Sequence, residues 1–308
     1  MSYLGEIAAL ATALCWLGSS LAFAVSSREA GAQPLNQFRL YAALPILAGL
    51  SLLVTGAAWP LGVGWSGLSA LALSGVVGLV IGDFGYFHAL ATIGPRLASV
   101  LMALWPACTV AIDAACGDLP TGGQAAGVTL TVVGVSLVLA RSRGGAWRPG
   151  LTRRQWASGV AGALLGAVGQ AGGFVMARSA MLGADGVEVG VDPLHATVVR
   201  MVAATIGMQC VVSLQGRPFA MRKIWSSARA HRAAWIGALC GPVLGVWLSM
   251  VAGAHARDAG VAAALMSTTP VFLLPVAIWF YGAKVHAAGV FGTLLAVSGV
   301  AVCFLYGA

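Results

Sequence analysis

The chain has 308 residues, 59% of them hydrophobic and only 8% charged, against roughly 25% charged in a soluble domain. That balance places the chain in a bilayer and leaves no length for a separate soluble domain. Its net charge of +8 sits in loops between apolar runs, where it speaks for membrane topology and anionic lipid rather than nucleic acid.

A membrane-spanning helix takes about 20 apolar residues. Ten such spans are expected, near 4–25, 36–55, 67–89, 96–115, 123–140, 156–177, 194–214, 233–253, 259–281 and 286–306. The fold class is all-α: a polytopic membrane protein. The first run is too long for the apolar core of a signal peptide and has no Lys or Arg before it, so it reads as a span despite Ala22-Phe23-Ala24. Short Gly- and Pro-marked loops join the spans, and 141–155, 178–193 and 215–232 are longer. The six cysteines form no Cys-x-x-Cys pair and read as small apolar fillers.

The second half repeats the first. Arg39-Leu40-Tyr41-Ala42-Ala43 follows Pro34-Leu35, and Arg200-Met201-Val202-Ala203-Ala204 follows Pro193-Leu194, an offset of 200 − 39 = 161. Leu101-Met102-Ala103-Leu104-Trp105-Pro106 is matched by Leu265-Met266-Ser267-Thr268-Thr269-Pro270, at 270 − 106 = 164. Gly127 and Gly134 are matched by Gly292 and Gly299, both at 165. Repeats with an odd number of spans must lie upside down to each other, so 1–140 and 156–308 are expected to be inverted five-helix repeats, with 141–155 a basic linker. Broken helices at the repeat interface are where secondary transporters build their binding sites.

Thirteen of the 17 basic residues fall in loops on one side: Arg28, Arg96, Arg141, Arg143, Arg148, Arg153, Arg154, Arg217, Arg222, Lys223, Arg229, Arg232 and Lys284. The positive-inside rule makes that side cytoplasmic, with 141–155 and 215–232 inside and both termini outside. These loops serve as topology determinants, and anionic headgroups are possible partners for them.

Asp83 lies five residues past the centre of span three, about 7–8 Å from the midplane. A charge at such depth costs about 2.5–3.5 kcal/mol on insertion scales, so it should face a cavity or a partner. A carboxylic acid is cheaper to bury neutral, which suits proton coupling; the alternative is a structural ion pair with Arg39. Arg39 and Arg200, repeat mates inside their spans, fit helix-break carbonyls, headgroups or an anion in the pathway. Pro106 and Pro270 each free the carbonyl four residues earlier, on Met102 and Met266, for a cavity wall or for a hydroxyl such as Thr268 or Thr269. Trp16, Tyr86, Phe87, Trp105, Gln170 and Trp247 sit away from the span ends, and Trp16, Trp105 and Trp247 are too deep for an interfacial aromatic belt; they pack the core or wall a pocket. His88 is about 140° around the helix from Asp83 and reads as a wet interfacial residue.

The expected cavity is therefore Trp16, Asp83, Phe87, Met102, Trp105, Pro106, Gln170, Trp247, Met266, Thr269 and Pro270. No Walker loop, Gly-x-Ser-x-Gly, His-Glu-x-x-His or metal-ligand cluster occurs. No catalytic residue, cofactor or metal is expected, and the partners are a small-molecule substrate and lipid. Oligomeric state is open between monomer and homodimer.

The Trp16 region, Arg39 opening span two, Gly241-Pro242-Val243-Leu244-Gly245-Val246-Trp247-Leu248-Ser249-Met250, the Pro106 and Pro270 helices and the two Gly-x6-Gly pairs resemble the EamA-like ten-helix members of the drug/metabolite transporter superfamily. The resemblance covers nearly the whole chain. It implies that fold and a transport activity, but no particular substrate. The expected function is a secondary transporter of a bacterial inner membrane, an exporter of an amino-acid-like or amphipathic metabolite working by alternating access. A flippase for a lipid-linked intermediate, or a scaffold or embedded enzyme, are the rival readings. Family members usually carry Gly-Glu after each proline helix. Here Gly117-Asp118 stands first, and Gly282-Ala283-Lys284 has lost the second acid. Relatives are also held to have cytoplasmic termini, opposite to what the charges imply here.

Overall fold

The computed structural model describes residues 3–115, 119–141, 150–182, 191–255, 265–281 and 287–305. Gly117-Asp118, Gly282–Lys284, Asp185, Glu188 and the arginines 143 and 148 fall outside the described residues. All regular structure among the described residues is helical. It comprises α1 (Leu4–Ala30), α2 (Ala32–Thr55), α3 (Trp65–Gly75), α4 (Asp83–Thr92), α5 (Gly94–Met102), α6 (Trp105–Ala115), α7 (Gly122–Arg141), α8 (Arg153–Leu182), α9 (Pro193–Leu214), α10 (Ala228–Ala238), α11 (Val246–His255), α12 (Thr269–Tyr281) and α13 (Ala287–Leu305).

Eight of the described helical runs are long and apolar enough to cross a membrane. Helix α13 has a shorter apolar stretch, Ala287–Val302, and α12 has 13 residues. The first two spans are longer than expected, since Gly31 alone separates α1 from α2. It holds φ 100°, a left-handed value that glycine tolerates and that stops a helix in one residue. Gly94, at φ 84°, makes the tight turn before Pro95 starts α5. Asp192 caps α9 by accepting from the amides of Leu194 (2.8 Å) and His195 (3.4 Å). The basic 215–232 segment contains a 3₁₀ helix, Ala220–Ser226. It is pinned to α2, where Gln37 donates to the Pro218 carbonyl and accepts from the Met221 amide, each at 2.8 Å.

Two spans carry a feature that their apolar sequences do not announce. Between α3 and α4, Val76–Gly82 winds as a π-helix, and between α10 and α11, Leu239–Gly245 does the same. The turns are 239 − 76 = 163 residues apart, in step with the repeat seen in the sequence. A π turn widens the helix and leaves some backbone carbonyls without a partner, so π turns collect at functional sites.

Glycine sets how closely the spans approach. On α8, Gly162, Gly166, Gly169 and Gly173 lie against Gly85, Tyr86, Gly82 and Gly78. A Cβ on Gly162 would stand 2.6 Å from the Gly85 carbonyl oxygen, and one on Gly85 would stand 2.5 Å from that of Gly162. Small residues let backbones meet in lipid, where apolar burial alone gives no drive to associate. Helix α7 packs on α13 in the same manner through Gly134, Gly292 and Gly299. Further pairs are α2 with α9, and α1 with α10, α11 and the π turn between them.

Candidate functional site

The helix breaks form first. Helix α5 ends at Met102 and α6 begins at Trp105, so the break falls at Ala103-Leu104, just before Pro106. The Leu104 amide turns back to the Leu101 carbonyl at 3.1 Å, a three-residue bond replacing the helical one. The second break copies it, with the Thr268 amide on the Leu265 carbonyl at 3.1 Å. Thr269 then donates to the carbonyls of Met266 and Ala13, each at 3.2 Å. A hydroxyl thus occupies the oxygen that Pro270 leaves free.

Both breaks wall one open cavity of about 90 Å³. Of the residues expected there, Trp16, Asp83, Phe87, Met102, Trp105, Gln170, Met266, Thr269 and Pro270 line it, and so does Arg39. Pro106, Trp247 and Arg200 do not. Pro106 is buried beside the break, where its role is to interrupt the helix. Trp247 packs against an aliphatic cluster that includes Leu40, Leu79, Met201 and Val243. Ser19, Ser20, Phe23, Tyr86, Ser99, Pro242, Val246 and Ser267 complete much of the wall. Trp16, Ser19, Ser20 and Phe23 recur at helical spacing, with two hydroxyls in an apolar span; that signal was present in the sequence. Tyr86 ties three helices, its hydroxyl bonding Ser20 Oγ at 2.7 Å and Ser99 Oγ at 3.3 Å.

The cavity's charge is an ion pair. Arg39 Nη2 lies 2.6 Å from Asp83 Oδ2, with the arginine side chain 2% exposed and the aspartate 18%. The same Nη2 donates to the Leu79 carbonyl at 2.7 Å, and Nε donates to Asn36 Oδ1 at 2.9 Å. Asn36 in turn donates to the Val80 carbonyl at 3.2 Å. Leu79 and Val80 belong to the first π turn, so α2 supplies side-chain donors to two of its carbonyls. The Arg39 guanidinium also rests 4.9 Å from the Phe87 ring centre. Arg39 thus binds a helix-break carbonyl and carries the ion pair at once.

Arg200, equally buried, has poorer company. Its Nη1 donates to the Gly173 carbonyl at 3.1 Å and approaches Met250 Sδ at 3.6 Å, and its Nε has no partner. His88 lies apart from the cavity and meets Ser158 at 3.2 Å. Among the described residues no group of three or more His, Cys, Asp or Glu is placed to hold a metal.

Apolar helices long enough to span a bilayer, two broken helices and an aromatic-walled cavity holding a buried ion pair define an integral membrane protein with an internal cavity. The EamA-like transporter family matches residues 3–140 and 157–305, nearly the whole chain in two halves. The chain belongs to that family, and is a membrane transporter of the drug/metabolite type. A solved crystal structure shares the fold, with a TM-score of 0.64 at 21% identity over 100% of this chain and 98% of that one. No curated protein matches.

Proposed function

We propose that the protein is a secondary active exporter of a small amino-acid-like metabolite, working by alternating access through ten spans arranged as two inverted five-helix repeats. The observation that carries the substrate class is the Arg39–Asp83 pair at 2.6 Å in an aromatic wall. A zwitterion with an apolar body answers both charges: its carboxylate takes Arg39 and its ammonium takes Asp83. Trp16, Phe87 and Trp105 then cover the body. Opening the pair costs one charge contact and substrate binding restores two, which favours a zwitterion over a neutral solute.

Asp83 is the coupling group in this reading. A proton on Asp83 removes the charge that the ammonium needs, so proton and substrate exclude each other at the site. Mutually exclusive binding is what an antiporter requires: protons entering down their gradient expel substrate outward. In proteoliposomes, Asp83→Asn, which mimics the protonated acid, is expected to abolish flux driven by a pH gradient and to weaken substrate exchange without a gradient as well. Undiminished pH drive in that variant would remove Asp83 from the coupling role and leave it as a structural partner of Arg39.

The proposed orientation follows the loop charges. With the basic side inside, a cysteine at position 222 is shielded from an impermeant reagent applied to intact cells, and one at position 3 is labelled. The reverse pattern would invert the assignment.

A further inference from the structure

Arg39 and Arg200 are repeat mates, both 2% exposed, yet among the described residues one has a carboxylate partner and the other has none. The residues around them correspond at the offset of the π turns. Phe87, which faces Arg39, corresponds to Met250, which faces Arg200, at 250 − 87 = 163. Asp83, the first residue after one π turn, corresponds to Val246, the first after the other, at 246 − 83 = 163. One carboxylate therefore breaks the symmetry of an otherwise matched pair of arginine sites.

Both arginines lie against the same π turn. Arg39 reaches it from α2 through the Leu79 carbonyl and Asp83. Arg200 reaches it from α9, its Nη2 lying 3.3 Å from where a Cβ on Gly78 would stand. In an α-helix Gly78 and Asp83 would sit about 140° apart. Here the Asp83 amide donates to the Gly78 carbonyl, five residues back, so Asp83 stacks one turn above the place that Arg200 touches. Asp83 interacts electrostatically with both guanidinium groups. Arginine keeps its charge in protein interiors, so Arg200 stays cationic, and its Nε is without a hydrogen-bond acceptor.

We propose that Arg200 is a second partner for Asp83, and that the carboxylate changes hands from Arg39 to Arg200 as the cavity turns from one side of the membrane to the other. Arg200 is a positioning residue in this scheme and does not touch substrate. The hand-over rests on the alternating-access reading but not on the substrate or on proton coupling. It gives each end state one ion pair and leaves the other arginine on backbone and sulfur or aromatic contacts. The state described here is the Arg39-paired one. Because the repeats are inverted, the position of the single acid then decides which side the cavity faces at rest.

The test moves the acid across the repeat. A reporter cysteine at Ala103, on the cavity wall, is placed in the full chain with its native cysteines replaced, and labelled in vesicles of known sidedness without substrate. The exchanged variant Asp83→Val/Val246→Asp is expected to be labelled from the opposite side to the Asp83 parent. Labelling from the parent's side in a folded exchanged variant overturns the hand-over. If that variant does not fold, Arg200→Met and Arg200→Lys decide. Arg200→Met is expected to slow turnover at least tenfold with KM within about twofold, and Arg200→Lys is expected to recover part of it. Arg200→Met with unchanged turnover, or with KM and turnover falling together and no recovery by Lys, overturns it. An unchanged labelling side together with active wild-type flux removes the hand-over alone. A reporter that labels from one side only, whatever the acid's position, in protein without flux removes alternating access as well.

Discussion

Removing Asp83 alone is expected to damage the protein more than removing the whole ion pair. Arg39 is 2% exposed and cannot give up its proton, so Asp83→Ala strands a cation inside the protein. Truncating one member of a buried pair typically costs about 3–5 kcal/mol, whereas replacing both by apolar residues of similar size is often neutral. Asp83→Ala should therefore lower the detergent-solubilised midpoint temperature clearly, and Arg39→Met/Asp83→Leu should recover most of the loss. The recovery should be incomplete, because Arg39 also serves the Leu79 carbonyl and holds Asn36 in place for Val80. Transport should be lost in both. A double variant less stable than Asp83→Ala would mean that the carbonyl contacts, and not the charge pairing, hold the π turn. A double variant that still transports would remove the pair from the substrate site.

The second large effect is expected where α7 meets α13. A Cβ on Gly134 would stand 2.4 Å from the Ala296 amide nitrogen, and one on Gly299 would stand 2.4 Å from that of Thr131. These neighbours are backbone, which cannot rotate aside, so the helices must separate. Overpacking costs about 1–3 kcal/mol per site, and more where a whole helix has to move. Gly134→Ala/Gly299→Ala should sharply reduce the yield of monodisperse protein and its midpoint temperature. Gly122→Ala at the start of the same helix is the control, since nothing lies within 4 Å of its Cβ position. Equal behaviour of the two variants would show that α7 and α13 separate without penalty. The pairing also accounts for the matched Gly-x6-Gly motifs, since each repeat's glycines make room for the other's backbone.

The amino-acid sequence by itself determined the class of protein, the two halves and the places where helices break. Those properties are local: an apolar run is long enough or it is not, proline lacks a donor wherever it stands, and a repeat is visible as an offset. Asp83, Trp16, Trp105, Met266 and Thr269 of the cavity wall were legible for the same reason. Arg39 was legible as one possible partner for Asp83, but the choice between ion pair and unpaired acid was not, because the two are 44 residues apart and meet only when α2 lies beside α4. Only the tertiary structure put Pro106 and Trp247 outside the wall, because which face of a span meets a cavity depends on its neighbours when nearly every face is apolar. The π turns were hidden too: an extra residue in a turn is held by donors brought from another helix, Asn36 and Arg39 in the first case. Whether a buried arginine finds a carboxylate is likewise a matter of packing, and that distinguishes Arg39 from Arg200 despite their matching sequence surroundings.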